Sequence, residues 1–240
     1  GRRDGVSIAT KVGGDFYHGG VRMNFAPDYV AFALERSLRR LRTDRVDLYQ
    51  LHNPPAEIMS DAATYETLET LQSEHKIDHY GVSIHEPYEG ELCLESGKPS
   101  VLQIPFSILR QEWVGDFLAS AMKANVGIIA REPLANGFFG GRIRAGQRFH
   151  RGDIRSSWPA GMVDARVEVA DRVRALATKN RTLAQTALRF VLAFEGVSVT
   201  IPGAKTESQV SENLAASEAP PLTDNEVRNL RRLHEGDFGR

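Results

Sequence analysis

Two residues in this sequence carry side chains suited to acid–base chemistry at places where an apolar run stops. Lys11 ends the run in Ile8-Ala9-Thr10-Lys11-Val12-Gly13, and His52 ends the run in Asp47-Leu48-Tyr49-Gln50-Leu51-His52-Asn53-Pro54. Strand alternation puts Ser7, Ala9 and Lys11 on one face and Val6, Ile8 and Thr10 on the other. A lysine on the small-residue face of a buried strand needs a partner or a function, because an uncompensated buried charge is costly. Pro54 terminates the second run, so His52 lies at the mouth of its strand. The bland alternatives are a lysine that reaches solvent and a hydrogen-bonded structural histidine. Two such groups in one layer on neighbouring strands point instead to proton transfer.

Further polar residues stand at the ends of later runs. Ser83 closes Gly81-Val82-Ser83, and Gln103 sits inside Val101–Pro105, where an inward amide needs hydrogen-bond partners. Phe106 follows; its ring could stack on a planar ligand, although ordinary core is the simpler reading. Near the C-terminus, Thr206-x-x-Gln209 fits a capping box after Ile201-Pro202-Gly203-Ala204-Lys205. A helix N-terminus beside Lys205 is a ready anion site.

The elements that position these residues alternate. Short runs rich in Val, Ile and Leu predict strands at Val6–Lys11, Val46–His52, Tyr80–Ser83, Val101–Pro105, Gly127–Ala130 and Val197–Ile201. Helical periodicity predicts helices at Asp28–Leu41, Asp61–Glu74, Trp113–Ala124, Ala165–Thr178, Thr182–Ala193 and Asp224–Leu233, the last with a Thr223-x-x-Glu226 capping box. This alternation predicts a parallel α/β architecture. No Gly-rich dinucleotide fingerprint follows the first strand, which favours a barrel over an open doubly wound sheet. Chemistry then belongs at the C-terminal strand ends, where Lys11 and His52 lie. The stretch Gly137–Trp158 reads as a long loop carrying Arg142, Arg144, Arg148, Arg151 and Arg155, either a solvated segment or a clamp over a site.

Composition narrows the function classes. The chain has 240 residues, a formal net charge of -1 and no run of like charge, so neither nucleic acid nor an anionic membrane surface is favoured as partner. No apolar run is long enough to span a bilayer, and the start resembles no signal peptide. The single cysteine, Cys93, excludes an internal disulfide framework and makes a cytoplasmic setting the default. His75-x-x-x-His79 has metal-ligand spacing but falls across a helix end and a strand start, so no metal site is expected. No linker divides the chain, and residues 1–240 are read as a single domain.

Taken together, these motifs resemble the aldo-keto reductase family from Val6 to about Ala216. Lys11 in ATKVG and His52 in DLYQLHNP resemble its catalytic lysine and histidine. Ser83 in GVSIH and Gln103 resemble the residues that hold the nicotinamide carboxamide, and Phe106 stands where an aromatic residue stacks on that ring. Arg131-Glu132-Pro133-Leu134-Ala135-Asn136-Gly137 resembles the REPLANG loop over the pyrophosphate. Gly203, Lys205, Gln209 and Asn213 in IPGAKTESQVSEN resemble the segment around the adenosine 2′-phosphate. The resemblance implies a TIM-type (β/α) barrel, NADP(H) ahead of NAD(H), and hydride transfer between nicotinamide and a small carbonyl or alcohol; a homo-oligomer is left open. Ile84 replaces the usual asparagine, and Gln209 stands where an arginine often meets the 2′-phosphate. The family's first two strands, with the D-x-x-x-x-Y motif that supplies its aspartate and tyrosine, find no counterpart before Lys11. The expectation is therefore an incomplete barrel of six of eight strands, family strands 3 to 8, N-terminally truncated. The competing possibilities are a short relative with a substitute donor such as Tyr17, a catalytically inactive nucleotide-binding or regulatory protein, and a non-redox lyase or isomerase using Lys11 and His52.

Overall fold

Val, Ile and Leu runs too short for helices form strands, and the amphipathic stretches between them return the chain for parallel pairing. The computed structural model describes residues 3–17, 19–20 and 22–233. The backbone divides into two compact units, Gly1–Ile104 with Gly115–Ile129, and Pro105–Val114 with Ala130–Arg240.

The first unit contains β1 (Ala9–Val12), β2 (Gly14–Asp15), β3 (Arg22–Met23), α1 (Pro27–Leu41), β4 (Val46–His52), α2 (Ala56–Met59), α3 (Ala62–Ser73), β5 (Ile77–Ser83), α4 (Pro87–Ser96), nearly all of β6 (Val101–Pro105), α5 (Asp116–Lys123) and the start of β7 (Gly127–Arg131). Its strands hydrogen-bond in the order β1-β4-β5-β6-β7, with β1, β4, β5 and β6 paired in parallel. Helix α1 begins with Pro27 at its first turn, carries Asp28 there and Arg39 and Arg40 at its end, and so follows the helix dipole. Its Val30, Leu34 and Leu38 are buried, as are Tyr49 and Leu51 of β4 and Leu68 of α3. The short β2–β3 hairpin is antiparallel and holds Asp15, which has no exposed surface and accepts from Tyr17 N and Asn24 Nδ2.

The second unit takes up the end of β7, followed by α6 (Met162–Arg174), α7 (Leu183–Val191), β8 (Val197–Ile201), α8 (Glu207–Leu214) and α9 (Asp224–Leu233). Strand β8 lies beside β7, and Thr200 Oγ1 donates to the Ala130 carbonyl. Helix α7 starts with a capping box between Thr182 and Gln185, and its buried residues include Leu188, Phe190 and Val191.

All six expected strands are present, three with the expected bounds. The first is displaced to Ala9–Val12, because residues 3–5 form a 3₁₀ turn and Val6 is exposed. The third begins earlier, at Ile77, and α5 begins only after Gly115, whose φ of 119° interrupts the run from Trp113. Helix α4 has no counterpart among the expected helices. It buries little beyond Gly90 and Cys93, so it lacks an apolar stripe, and its start rests on a Glu86–Glu89 capping box and Pro87. The segment after β7 is irregular as expected, with 3₁₀ turns at Ala135–Gly140 and Ile154–Ser157. Among the described residues no helix is long and apolar enough to cross a membrane.

Candidate functional site

In the first unit the register of the parallel strands assembles a polar row. Lys11 lies opposite Gln50, His52 opposite Ser83, and Ser83 opposite Gln103. Gln50 and His52 are two residues apart on β4 and so share a face. Lys11, Gln50, His52, Ser83 and Gln103 therefore stand on one side of the sheet, near the C-terminal ends of four strands. Lys11 is half-buried, His52 is exposed, and Ser83 and Gln103 are buried. Ser83 Oγ donates to Asn53 Oδ1 at 3.4 Å, and Asn53, in a left-handed conformation with φ 51°, donates its backbone N–H to the Ser83 carbonyl.

Sequence reading places Lys11, His52 and Ser83 towards the ends of their strands and Gln103 inside its own, where the structure also has them, but passes over Gln50. The available signal is a glutamine two residues before His52 inside an otherwise apolar run. Its Nε2 donates to Gln103 Oε1 at 3.2 Å. Ile84 points away from the row; a Cβ on Gly90 of α4 would lie 3.2 Å from its Cδ1, so it packs under that helix. Tyr17, the nearest tyrosine in sequence to Lys11, packs edge-on against Phe32 of α1, and its hydroxyl accepts from Arg40. The Arg36 and Arg40 guanidiniums more than offset desolvation and lower its hydroxyl below the usual tyrosine range.

The second unit contains a cavity of about 840 Å³. Arg131, Glu132, Pro133, Leu134 and Gly137 line it from the segment after β7, and Gly203, Lys205 and Gln209 line it from the turn into α8. These are the residues expected there, except Asn213, which sits one turn further along α8 and does not line the cavity. The cavity's other wall comes from the long loop, through Arg142, Ile143, Gln147, Asp153 and Arg155.

Local structure explains how this wall is held. Ala135, Asn136 and Gly137 are consecutive left-handed residues, with φ of 47°, 56° and 94°. Such a run costs of order 1 kcal/mol or more per non-glycine residue and persists where surrounding contacts enforce it. Here Arg155 Nη1 donates to the Asn136 carbonyl at 2.9 Å while its Nε and Nη2 grip Asp153. The Arg155 hydrogen bonds hold the Asp153 carboxyl at about 2, below the usual carboxylate value. Trp158 stacks on Phe138, and Arg166 of α6 covers the Trp158 ring at 4.7 Å, so the loop's end is anchored as well. At the opposite wall, Thr206 caps α8 by accepting from Gln209 N, and Gln209 Oε1 accepts from Lys205 N.

The charge balance suits an anion. Arg131 pairs with Glu132 and Arg155 with Asp153, whereas Arg142 and Lys205 form no ion pair among the described residues. Four cations against two carboxylates around one cavity, beside a capped helix start, make a phosphate-sized anion a fitting occupant. Phe106 is different: it has no exposed surface and packs against Phe190 and Phe194, with ring centroids 6.2 and 5.3 Å away. That environment is the ordinary-core reading, with no ring face open. His75 follows α3 with φ 57° and His79 lies in β5, so the two stand in different elements, as expected.

Comparison with known proteins bears on the same residues. Residues 1–235 match the sequence profile described as the aldo/keto reductase family. The expectation of two missing N-terminal units finds no support in this match, which covers nearly the whole of the chain. Among curated proteins, the chain is 27% identical to "Uncharacterized oxidoreductase YqkF" of Bacillus subtilis, across 96% of this chain and 74% of that protein. It is 28% identical to "Aldo-keto reductase yakc" of Schizosaccharomyces pombe, whose name carries NADP(+), across 96% and 70%. Among solved structures it resembles the holo form of aldo-keto reductase AKR11C1 from Bacillus halodurans, with a TM-score of 0.78, 29% identity and coverage of 97% and 74%. The glycerol dehydrogenase AKR11B4 from Gluconobacter oxydans gives a TM-score of 0.82 at 26% identity, with coverage of 98% and 73%.

Proposed function

The chain belongs to the aldo/keto reductase family, and from that premise we propose that it is an NADP(H)-dependent oxidoreductase interconverting a small carbonyl compound and its alcohol. Membership also supports reading residues 1–240 as one domain and the strand–helix alternation as part of a TIM-type (β/α) barrel.

One observation carries the proposal. Eight residues that the resemblance assigns to the nucleotide, Arg131, Glu132, Pro133, Leu134, Gly137, Gly203, Lys205 and Gln209, line a single cavity with an excess of positive charge. In this reading Lys205 and the α8 N-terminus take the 2′-phosphate, and the cations of the loop take the pyrophosphate. Ser83 and Gln103 take the carboxamide of the nicotinamide. Bound there, the nicotinamide supplies the hydride donor or acceptor.

The protein's own contribution is proton handling and charge stabilisation. His52, exposed at the mouth of β4, is the side chain placed to pass a proton to or from the substrate oxygen. Lys11 is one strand away on the same face, and its ammonium stabilises negative charge developing on the substrate oxygen. The aspartate and tyrosine of the family's tetrad are assigned to no residue of this chain, and Tyr17 is engaged by Arg40.

The test has two parts. NADPH should quench the protein's tryptophan fluorescence saturably, and more tightly than NADH. A panel of small aldehydes and ketones should then lower the near-UV absorbance of the bound nucleotide. No saturable quenching would sink the nucleotide reading. Quenching without turnover of any carbonyl would leave nucleotide binding and overturn the oxidoreductase assignment.

A further inference from the structure

Gln50 is a buried polar residue to which the proposed function gives no role. It lies in the middle of β4 and has no exposed surface. Its Nε2 donates to Gln103 Oε1, and its own Oε1 has no hydrogen-bond partner. A buried amide with one end unsatisfied is a poor choice for stability, because an apolar side chain of the same size carries no such penalty. Such exceptions call for an explanation.

The register supplies one. Gln50 stands opposite Lys11 on β1 and opposite Gly81 on β5. Gln103 is on β6, so the Gln50–Gln103 bond crosses two strand spacings, about 10 Å. It can do so because Gly81 puts no side chain in between. A Cβ at Gly81 would also meet the Val101 carbonyl oxygen at 2.4 Å, so the gap is enforced by the backbone.

We propose that Gln50 is a positioning residue that fixes which end of the Gln103 amide faces the nicotinamide carboxamide, an inference that rests on the function proposed above. An amide has a donor end and an acceptor end, and nothing in the packing of an isolated glutamine distinguishes them. With Gln50 donating to Oε1, the Gln103 amide is held with its oxygen toward β4, and its NH₂ group is the end left to offer to a ligand. Gln103 then binds the oxygen of a primary carboxamide. Gln50 acts from beneath, through Gln103, and its residual unsatisfied oxygen is the stability cost of that arrangement.

The experiment compares two ligands on the full chain. One is NADPH. The other is adenosine 2′-phosphate 5′-diphosphate, the half of the cofactor without nicotinamide. Binding is read by fluorescence and folding by thermal melting, so neither depends on turnover. Gln50→Met removes the donor and the orphan oxygen at nearly constant volume. It should melt no lower than the parent protein and bind NADPH about tenfold more weakly, a change of about 1.4 kcal/mol. Binding of the adenosine half should stay within about twofold of the parent. Gln50→Leu likewise has neither donor nor acceptor, so nothing holds the Gln103 amide in one orientation. It should show the same NADPH-specific loss, and it serves as the reporter if Gln50→Met does not fold. Parental NADPH affinity in both variants, or equal losses for both ligands, would overturn the inference. A parent protein that binds neither ligand would instead overturn the proposed function, so the two failures are distinguishable.

Discussion

Lys11 illustrates how a side chain's meaning depends on its neighbours across the strands. By itself it is a half-buried lysine at the end of a short strand. Its register partner is a buried amide, and His52 lies two residues further along the same partner strand. Lys11→Met keeps the aliphatic stem and removes the charge. Carbonyl turnover should fall by about a hundredfold or more. Undiminished turnover would show that the chemistry lies elsewhere. Cys93 makes the opposite case, a reactive residue type with no reactive role. It is buried in α4, and desolvation pushes its thiol up from 9.0 to about 12. A raised thiol value means that stability from this group is fully present below pH 9.0 and declines as pH rises towards about 12. Denaturation midpoints should therefore fall above pH 9.0, and part of that slope should vanish in Cys93→Ala. In the native protein the thiol should resist alkylation near about pH 8; rapid labelling without unfolding would contradict the buried placement.

The elements set where these side chains can meet. The six strands, the bounds of three of them and the start of α9 are legible in the sequence because Val- and Ile-rich runs and capping boxes are local signals; Thr223 and Glu226 bond reciprocally, as their spacing predicts. Helix α4 and the β2–β3 hairpin are not legible. The former buries few apolar residues, and the latter rests on the buried carboxylate of Asp15 rather than on alternation. The wall of the cavity has no local signature beyond that of a loop, since nothing in the sequence distinguishes a solvated arginine from Arg155, which holds both Asp153 and the Asn136 carbonyl. On β5, Gly81 looks like a weak point in the sequence, yet the strand pairing requires it. Gly81→Ala should destabilise the protein by about 2–3 kcal/mol, through a Cβ forced onto backbone. Urea titration checks this, and a midpoint equal to the parent's would show that the strands can part without cost.

At the scale of the whole molecule, each unit has its own organising core. In the second unit that core includes Phe106, Phe190 and Phe194, and a single cation ties down the approach to its last helix. Arg181 is 4% exposed and donates to the carbonyls of Leu176, Pro220 and Pro221 while pairing with Glu226. Arg181→Met should cost about 2–3 kcal/mol, because it takes the donor away from three carbonyls and from Oε1 of Glu226 at once. Combining it with Glu226→Gln should cost less than the sum of the two single changes, measured by denaturant unfolding; strict additivity would show that the pair does not act as a unit. The amino-acid sequence by itself determined the alternation of strands and helices, the placement of Lys11, His52 and Ser83 towards strand ends and of Gln103 within its strand, and the family, because these rest on local periodicity and short motifs. Only the tertiary structure decided that Gln50 reaches Gln103 across Gly81, that Phe106 is enclosed among phenylalanines, and that Asp153 and Arg155 wall the cavity of the second unit while Asn213 does not. Those outcomes depend on strand register and on loops closing over many residues, and no local pattern encodes them.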